Sequence, residues 1–309
     1  MKPPQPTVTI GIPAYNAGMT LETALDSALS QTFDHGFEIV IVDDQSSDLT
    51  YAIALEYEFR FPRVVRCFRQ EHAGVATARN RVLQEARGAY ITWLDADDRY
   101  RPFKLTFSFS QLYQAIKTQE HRNIIAYGDY TFNGKIHNAR AMLDDPMPNL
   151  LTGQLNGYLW TTLAPIEIYR NLGGFRAELH RSEDQDLLVR FLRSGGVFHH
   201  VSGPPQIDYT FQTTGRSGTD VEESFRFMLE EYRAEYEQLP EYKRYIARRL
   251  WEVSGFYQTE KKWEDMWRCR GEALGACFEE VFPRLMAAIS VEINNKIDAA
   301  EKRIMAAKK

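Results

Sequence analysis

The sequence predicts an α/β fold: a doubly wound, mostly parallel sheet flanked by helices, with an all-helical extension at its carboxyl end. Three observations predict it. Across the first hundred residues, short runs rich in Val and Ile alternate with segments whose apolar residues recur at helical spacing. That is the pattern of βα units winding a parallel sheet. The loops leaving the carboxyl ends of those runs are polar and mostly acidic, and that is where open α/β sheets bind ligands. After Thr219 turn residues almost vanish. The last 90 of the 309 residues hold 3 of the 19 glycines and 2 of the 13 prolines, so two domains are expected, 1–219 and 220–309.

The elements follow in order. Val8 to Ile12 is a strand ending at Pro13, and Leu21, Ala24, Leu25, Ala28 and Leu29 mark a helix. Glu38 to Val42 is apolar enough to be covered on both faces. Ser46, Ser47 and Asp48 offer caps to a helix over Leu49 to Phe59. A strand at Val64 to Phe68, a helix over Gly74 to Ala86 and a strand at Ala89 to Leu94 complete four units, and a helix over Phe103 to Thr118 comes next. Asn123 to Ile136 reads as two strands turning at Asn133-Gly134, a strong hairpin dipeptide. Met142 to Tyr158 reads as irregular, Trp160 to Ala164 as a strand and Pro165 to Asn171 as a short helix. Ser182 to Arg193 reads as a helix opened by a capping box of Ser182 and Gln185. Val197 to Ser202 and Gln206 to Gln212 read as strands. Helices over Val221 to Gln238, Tyr242 to Thr259, Trp263 to Val281 and Arg284 to Ala307 form the extension.

Composition narrows the function. Hydrophobic residues make up 44% and charged residues 26%, an ordinary globular balance. With 37 basic against 42 acidic residues the net charge is −5, which argues against a nucleic-acid partner. Cys67, Cys269 and Cys277 are too few and too scattered for a disulfide framework or a zinc cage and fit a reducing cytosol. No apolar run reaches the roughly 18 residues of a membrane span. A cytoplasmic protein is expected, with attachment to the inner face of the membrane left open. The extension is dense in charge, and Ile289, Ile293, Ile297, Ala300 and Ile304 form an apolar stripe along its last helix. Packing within a helical bundle is the first reading of that stripe, and self-association into a homo-oligomer the second.

Five clusters can carry chemistry. Asp95-Ala96-Asp97-Asp98 follows an apolar strand. Carboxylates this close repel one another unless they share a cation, and hard oxygen donors suit Mg²⁺ or Mn²⁺. A solvated capping loop is the plainer alternative. Asp43-Asp44 ends the second strand, where an acid can accept from a nucleobase N–H or a ribose hydroxyl, or merely close a turn with Ser46 and Ser47. In Pro13-Ala14-Tyr15-Asn16, Tyr15 can pack on a flat base or belong to an ordinary turn. Gly74 opens a helix of small residues that permits close backbone approach. Its Arg79 can neutralise phosphate or serve as an ion-pair partner. Ser182-Glu183-Asp184-Gln185-Asp186 places acids at a helix N-terminus, where the dipole favours them and lowers their pKa. The functional reading makes one of them a general base. His72, His180, His199 and His200 show no metal-binding spacing.

Taken in order, Ile12-Pro13-Ala14-Tyr15-Asn16, Ser30-Gln31-Thr32, Val42-Asp43-Asp44 with Ser46 and Asp48, Gly74-Val75-Ala76 with Ala78-Arg79-Asn80, Leu94 to Asp98, Gly173-Gly174-Phe175 and Glu183-Asp184 resemble the family 2 glycosyltransferases. The resemblance covers roughly residues 7–212. It implies the GT-A fold, a nucleoside-diphosphate sugar donor with UDP-sugar first, and a hydroxyl acceptor on a glycan, lipid-linked sugar or protein. It also implies Mn²⁺ or Mg²⁺ and inversion at the anomeric carbon, in surface glycan or polysaccharide biosynthesis. By the same resemblance Pro13, Tyr15 and Asp44 hold the nucleoside, with Asp44 on the base, and Arg79 lies near the nucleotide. Asp95 and Asp97 form the DxD motif, with Asp97 the more direct metal ligand. Asp184 deprotonates the acceptor, with Glu183 beside it at the substrate. Two departures stand out. Tyr209-Thr210-Phe211-Gln212 lacks the His that many relatives place there, leaving Gln212 or Arg216 as substitutes. The Q-x-x-R-W motif of processive synthases is absent, which favours one sugar per encounter. A nucleotidyltransferase would carry a basic Gly-rich loop after the first strand, and Pro13 to Gly18 contains no Lys or Arg. A non-catalytic scaffold would not need the retained acids.

Overall fold

The computed structural model describes residues 5–118, 123–138, 143–155, 158–209 and 217–291. The chain divides into two compact units, Met1–Thr214 and Gly215–Lys309. In the first unit β1 (Val8–Ala14), α1 (Leu21–Leu29), β2 (Phe37–Asp43), α2 (Thr50–Arg60), β3 (Val65–Arg69), α3 (Gly74–Glu85) and β4 (Tyr90–Trp93) form the expected βα series. Then come β5 (Arg99–Tyr100), α4 (Lys104–Thr118), β6 (Ile124–Gly128), β7 (Tyr130–Phe132), β8 (Lys135–His137) and α5 (Pro146–Leu151). The unit closes with β9 (Thr162–Pro165), α6 (Ile166–Asn171), α7 (Glu183–Arg193), β10 (Val197–Val201) and β11 (Ile207–Tyr209).

Seven strands pair in the order β10-β6-β9-β4-β1-β2-β3, and four more in the order β5-β11-β7-β8. In the large sheet β4, β1, β2 and β3 run parallel, as do β6 and β10, while β9 is antiparallel to both of its neighbours. Every residue of β1 is buried, which explains why this strand shows no polar face in sequence. Gly11 sits where that burial is tightest: a Cβ there would come within 2.6 Å of Val82 and 2.9 Å of the Trp93 ring. The register aligns Ala14 with Asp43 and Asp43 with Arg69. It therefore delivers the loops after β1, β2, β3 and β4 to one edge.

Local chemistry departs from the sequence expectation at several points. Asn123 to Ile136 forms three strands, because β6 joins the large sheet and β7 and β8 make a separate hairpin. Asn133 and Gly134 both have positive φ, 49° and 73°, as a two-residue hairpin turn requires. Met142 to Tyr158, expected to be irregular, contains α5 with a proline in its first turn. The capping box at Ser182 does not form. Ser182 is left-handed at φ 60° with no side-chain cap, and the Gln185 amide donates instead to the Leu150 carbonyl. At α2, Asp48 accepts from the Thr50 N–H at 3.0 Å, so one of the three expected caps engages the helix start.

The second unit contains α8 (Gly218–Glu231), α9 (Arg233–Glu237), α10 (Tyr242–Thr259) and α11 (Trp263–Ala276), and residues 278–291 are helical. The single helix expected over Val221 to Gln238 breaks at Tyr232, a fully buried residue with φ −114°. Cys277 is extended and ends α11 short of Val281. Phe225, Ala247, Leu250, Ala273 and Val281 form one core cluster. Ile293, Ile297, Ala300 and Ile304 lie outside the described residues.

One buried carboxylate ties this unit together. Glu222 accepts two bonds from Arg268 at 2.7 Å, one from Arg226 at 2.6 Å and one from the Tyr257 hydroxyl at 2.7 Å. Burial opposes the charge, but the bonds from Arg268, Tyr257 and Arg226 outweigh it and hold the carboxyl down at about 2. A depressed acid stabilises the fold fully above its unfolded value and loses that contribution as pH falls through its folded one. Acid titration of the wild type is therefore expected to weaken this unit progressively from about pH 4.5 to 2. Glu222→Gln should flatten that limb and cost about 1–3 kcal/mol at pH 7, measured by urea unfolding across pH.

Candidate active site

Four loops converge at the carboxyl edge of the large sheet. The first three contribute to an aromatic-walled cleft of about 170 Å³ lined by Pro13, Ala14, Tyr15, Asp44, His72, Gly74, Val75 and Ala78. Tyr15 and His72 stack with ring centroids 4.4 Å apart and planes 27° from parallel. Asp44 is buried beneath them. Its Oδ1 accepts from Gln70 Nε2 at 2.8 Å and Ala73 N–H at 3.0 Å, and its Oδ2 accepts from Gly74 N–H at 2.8 Å. His72 Nδ1 lies 2.9 Å from Oδ2 and 3.2 Å from the Asp44 main-chain oxygen. The structure thus brings Pro13, Tyr15 and Asp44 together as expected, and adds His72, which sequence reasoning left as one isolated histidine. Its only sequence signal is its place in the loop leaving a parallel strand.

The carboxylate loop Asp95–Asp98 follows β4. Tyr100 closes its base: the hydroxyl bonds the Trp93 carbonyl and lies 2.9 Å from the Thr92 hydroxyl. Beneath this anchor, the buried Lys104 ammonium donates to Ser108 Oγ at 3.1 Å and to the Thr162 carbonyl at 3.2 Å, and burial pushes it down to about 7. Asp97 is pushed up to about 6, first by burial and then by the Asp95 charge. Burial disfavours the charged carboxylate, and a like charge beside it adds to the effect.

Arg79 forms the ion pairs that are one of its two expected roles. Its guanidinium is 5% exposed, bonds Glu183 through one amino nitrogen and reaches Asp95 Oδ1 at 3.0 Å through the other. Arg79 and Glu183, both expected near the substrate, pair with each other, and Arg79 bridges α3, the Asp95 loop and the start of α7. The same helix explains two further motifs. The Asn80 amide pairs with both main-chain groups of Phe175 at 2.8 Å. Gly174, at φ 74°, leaves the space Asn80 fills, since a Cβ there would lie 2.4 Å from Asn80 Oδ1. Phe175 in turn packs under the Arg79 guanidinium at 5.6 Å.

Of the three acids opening α7, Glu183 pairs with Arg79, and Asp186 with Arg190 and Arg176. Of these three acids, Asp184 alone has no guanidinium partner among the described residues. It accepts from the Gln185 N–H at 2.7 Å. The helix dipole does not lower its pKa as expected: burial, then the Glu183 charge, push it up to about 7, against the opposing pull of Arg79. Burial wins because desolvation disfavours the charged form outright. Gln212 and Arg216 lie outside the described residues.

A divalent cation fits the Asp95–Asp97 pair on donor chemistry. Both are carboxylates, and Asp97 has a pKa raised by burial and by the Asp95 charge. Among the described residues no group of three or more His, Cys, Asp or Glu is placed to hold a metal. Two carboxylates suit Mg²⁺ or Mn²⁺ when phosphate oxygens and water complete the shell.

Solved structures share this architecture. A Staphylococcus aureus TarS fragment in complex with UDP-GlcNAc aligns with TM-score 0.60 and 20% identity, over 87% of this chain and 81% of that one. The mannosyltransferase PcManGT of Pyrobaculum calidifontis, in complex with GDP-Man and Mn²⁺, aligns with TM-score 0.55 and 16% identity, over 94% of this chain and 81% of that one. The large sheet with its flanking helices is the GT-A fold, and its class is glycosyltransferase. An uncharacterized glycosyltransferase of Rickettsia typhi is 30% identical over 231 residues, 71% of this chain and 69% of the relative. The profile described as Glycosyl transferase family 2 matches residues 9–176, and the chain belongs to that family. Among the described residues no helix is long and apolar enough to cross a membrane.

Proposed function

We propose that this protein moves one sugar from a nucleoside-diphosphate sugar, UDP-sugar first, to an acceptor hydroxyl with inversion, in surface glycan or polysaccharide biosynthesis in the cytoplasm. Residues 1–219 carry catalysis, and 220–309 serve packing or self-association. The observation that carries this reading is the Arg79 bridge, which gathers Asp95 and the Glu183–Asp184 pair into one cluster. Pro13, Tyr15 and Asp44 take the nucleoside. Asp95 and Asp97 hold the cation, Mn²⁺ or Mg²⁺. When bound there, it stabilises negative charge gathering on the departing diphosphate. Asp184 removes the acceptor proton as the new bond forms, and attack opposite the leaving group inverts the anomeric carbon in one displacement. The solved relatives with UDP-GlcNAc and with GDP-Man and Mn²⁺ support donor class and metal.

Thermal unfolding against a panel of nucleotide sugars tests it. A bound donor at 100 times its Kd stabilises by about 2.7 kcal/mol. The shift should require Mn²⁺ or Mg²⁺ and should fall sharply in Asp97→Ala. An equal shift in chelator and in Asp97→Ala would overturn the metal assignment.

A further inference from the structure

We propose that His72 is an internal stand-in for the nucleobase, occupying the base's place on Tyr15 and Asp44 until donor binding turns it out. This rests on the nucleoside assignment above. A carboxylate offers about four acceptor positions, and Asp44 fills three with Gln70 Nε2 and the N–H groups of Ala73 and Gly74. The fourth lies 2.9 Å from His72 Nδ1, whose hydrogen bond is to the Asp44 main-chain oxygen at 3.2 Å. Both groups around Nδ1, Oδ2 and the Asp44 carbonyl, are acceptors only, so Nδ1 carries a proton. The imidazole is thus a flat ring stacked on Tyr15 that presents a ring N–H to the Asp44 main-chain oxygen and covers the open side of its carboxylate. A pyrimidine or purine with a ring imino N–H presents the same two features. The two cannot occupy the same space beside Oδ2, and the main-chain N–H groups cannot leave. His72 can: its side chain is 52% exposed.

The exchange also sets base choice. Uracil, thymine and guanine bring an imino N–H for the acceptor position that His72 covers. Adenine and cytosine bring a bare acceptor nitrogen at that edge, which Asp44 repels, so they cannot displace the histidine. Because free protein with His72 seated is not competent to bind, its population lowers apparent affinity.

Calorimetric titration with UDP and CDP, with Mn²⁺ present, tests this in the full-length protein. His72→Ala should bind UDP about 3- to 10-fold more tightly than wild type, while CDP stays weak in both. In wild type, UDP should speed acylation of His72 by diethylpyrocarbonate, read by mass spectrometry, because the ring is released to solvent. Weaker UDP binding by His72→Ala, or protection of His72 by UDP, overturns the proposal and makes the ring a wall of the occupied site. If wild type binds none of UDP, GDP and dTDP, the donor reading itself falls, and this inference with it. The labelling experiment needs no variant, so a misfolded His72→Ala leaves the question decidable.

Discussion

Asp184→Asn is expected to lower transfer by about 10²- to 10⁴-fold, the usual contribution of a positioned general base, while nucleotide affinity changes little. The amide keeps the size of the side chain but cannot accept the acceptor's proton. The rest of the cluster should survive, because Asp184 makes no ion pair among the described residues and its one bond, from the Gln185 N–H, has an oxygen to accept it in Asn. The pH profile supplies a second check. A base works only when ionised, and Asp184 stands at about 7 before any metal ion is bound. Turnover should rise about tenfold per pH unit on the acid side and level off above that midpoint. A cation on Asp95 and Asp97 moves the midpoint down, since positive charge favours the carboxylate. Release of nucleoside diphosphate from a donor panel, with and without mixed glycan acceptors, measures both effects. Unchanged turnover in Asp184→Asn would remove the base assignment.

Arg79→Ala should cost about 3–5 kcal/mol of stability in the first unit, because removing one partner of a buried ion pair strands the other. Here the loss leaves Glu183 buried and Asp95 without its counter-charge, beside an Asp184 that already resists ionisation. Arg79→Lys should recover only part of this, since one ammonium cannot present the fork that meets two carboxylates at once. Arg60→Ala is the control: Arg60 pairs with Glu56 at 3.3 Å on the surface, and its removal should cost no more than about 1 kcal/mol. Amide exchange at β1 and β4 under mild denaturant reads the first unit separately from the helical one. A loss below about 1 kcal/mol for Arg79→Ala would mean that the bridge is not structural.

The two predictions divide along what could be seen without a fold. The acids of Asp95–Asp98 and Glu183–Asp184 are prominent in sequence because each cluster is local, a run of charges at the end of a patterned element. The Arg79 bridge is not local. It joins residues 16 and 104 positions apart, and no periodicity connects an arginine inside a helix of small residues to acids on two other elements. Asp184 shows the same limit in a different quantity. The dipole that should lower its pKa is written in its helix position, but the burial that reverses the shift comes from the surrounding packing.

Helical spacing and alternating apolar runs are short-range properties, so the βα series, α4 and α10 were determined by the sequence alone, to within a few residues at their ends. Turn chemistry was also local, and Asn133-Gly134 turns where it was expected. What the tertiary structure decided is which chain segments meet: the antiparallel β9 within a parallel sheet, the break at Tyr232 imposed by its burial, and the Gly174–Asn80 fit. It also decided that a histidine with no motif of its own lies on Tyr15 and Asp44. Those outcomes depend on free energies of contact between residues distant in sequence, and pattern along the chain carries no record of them.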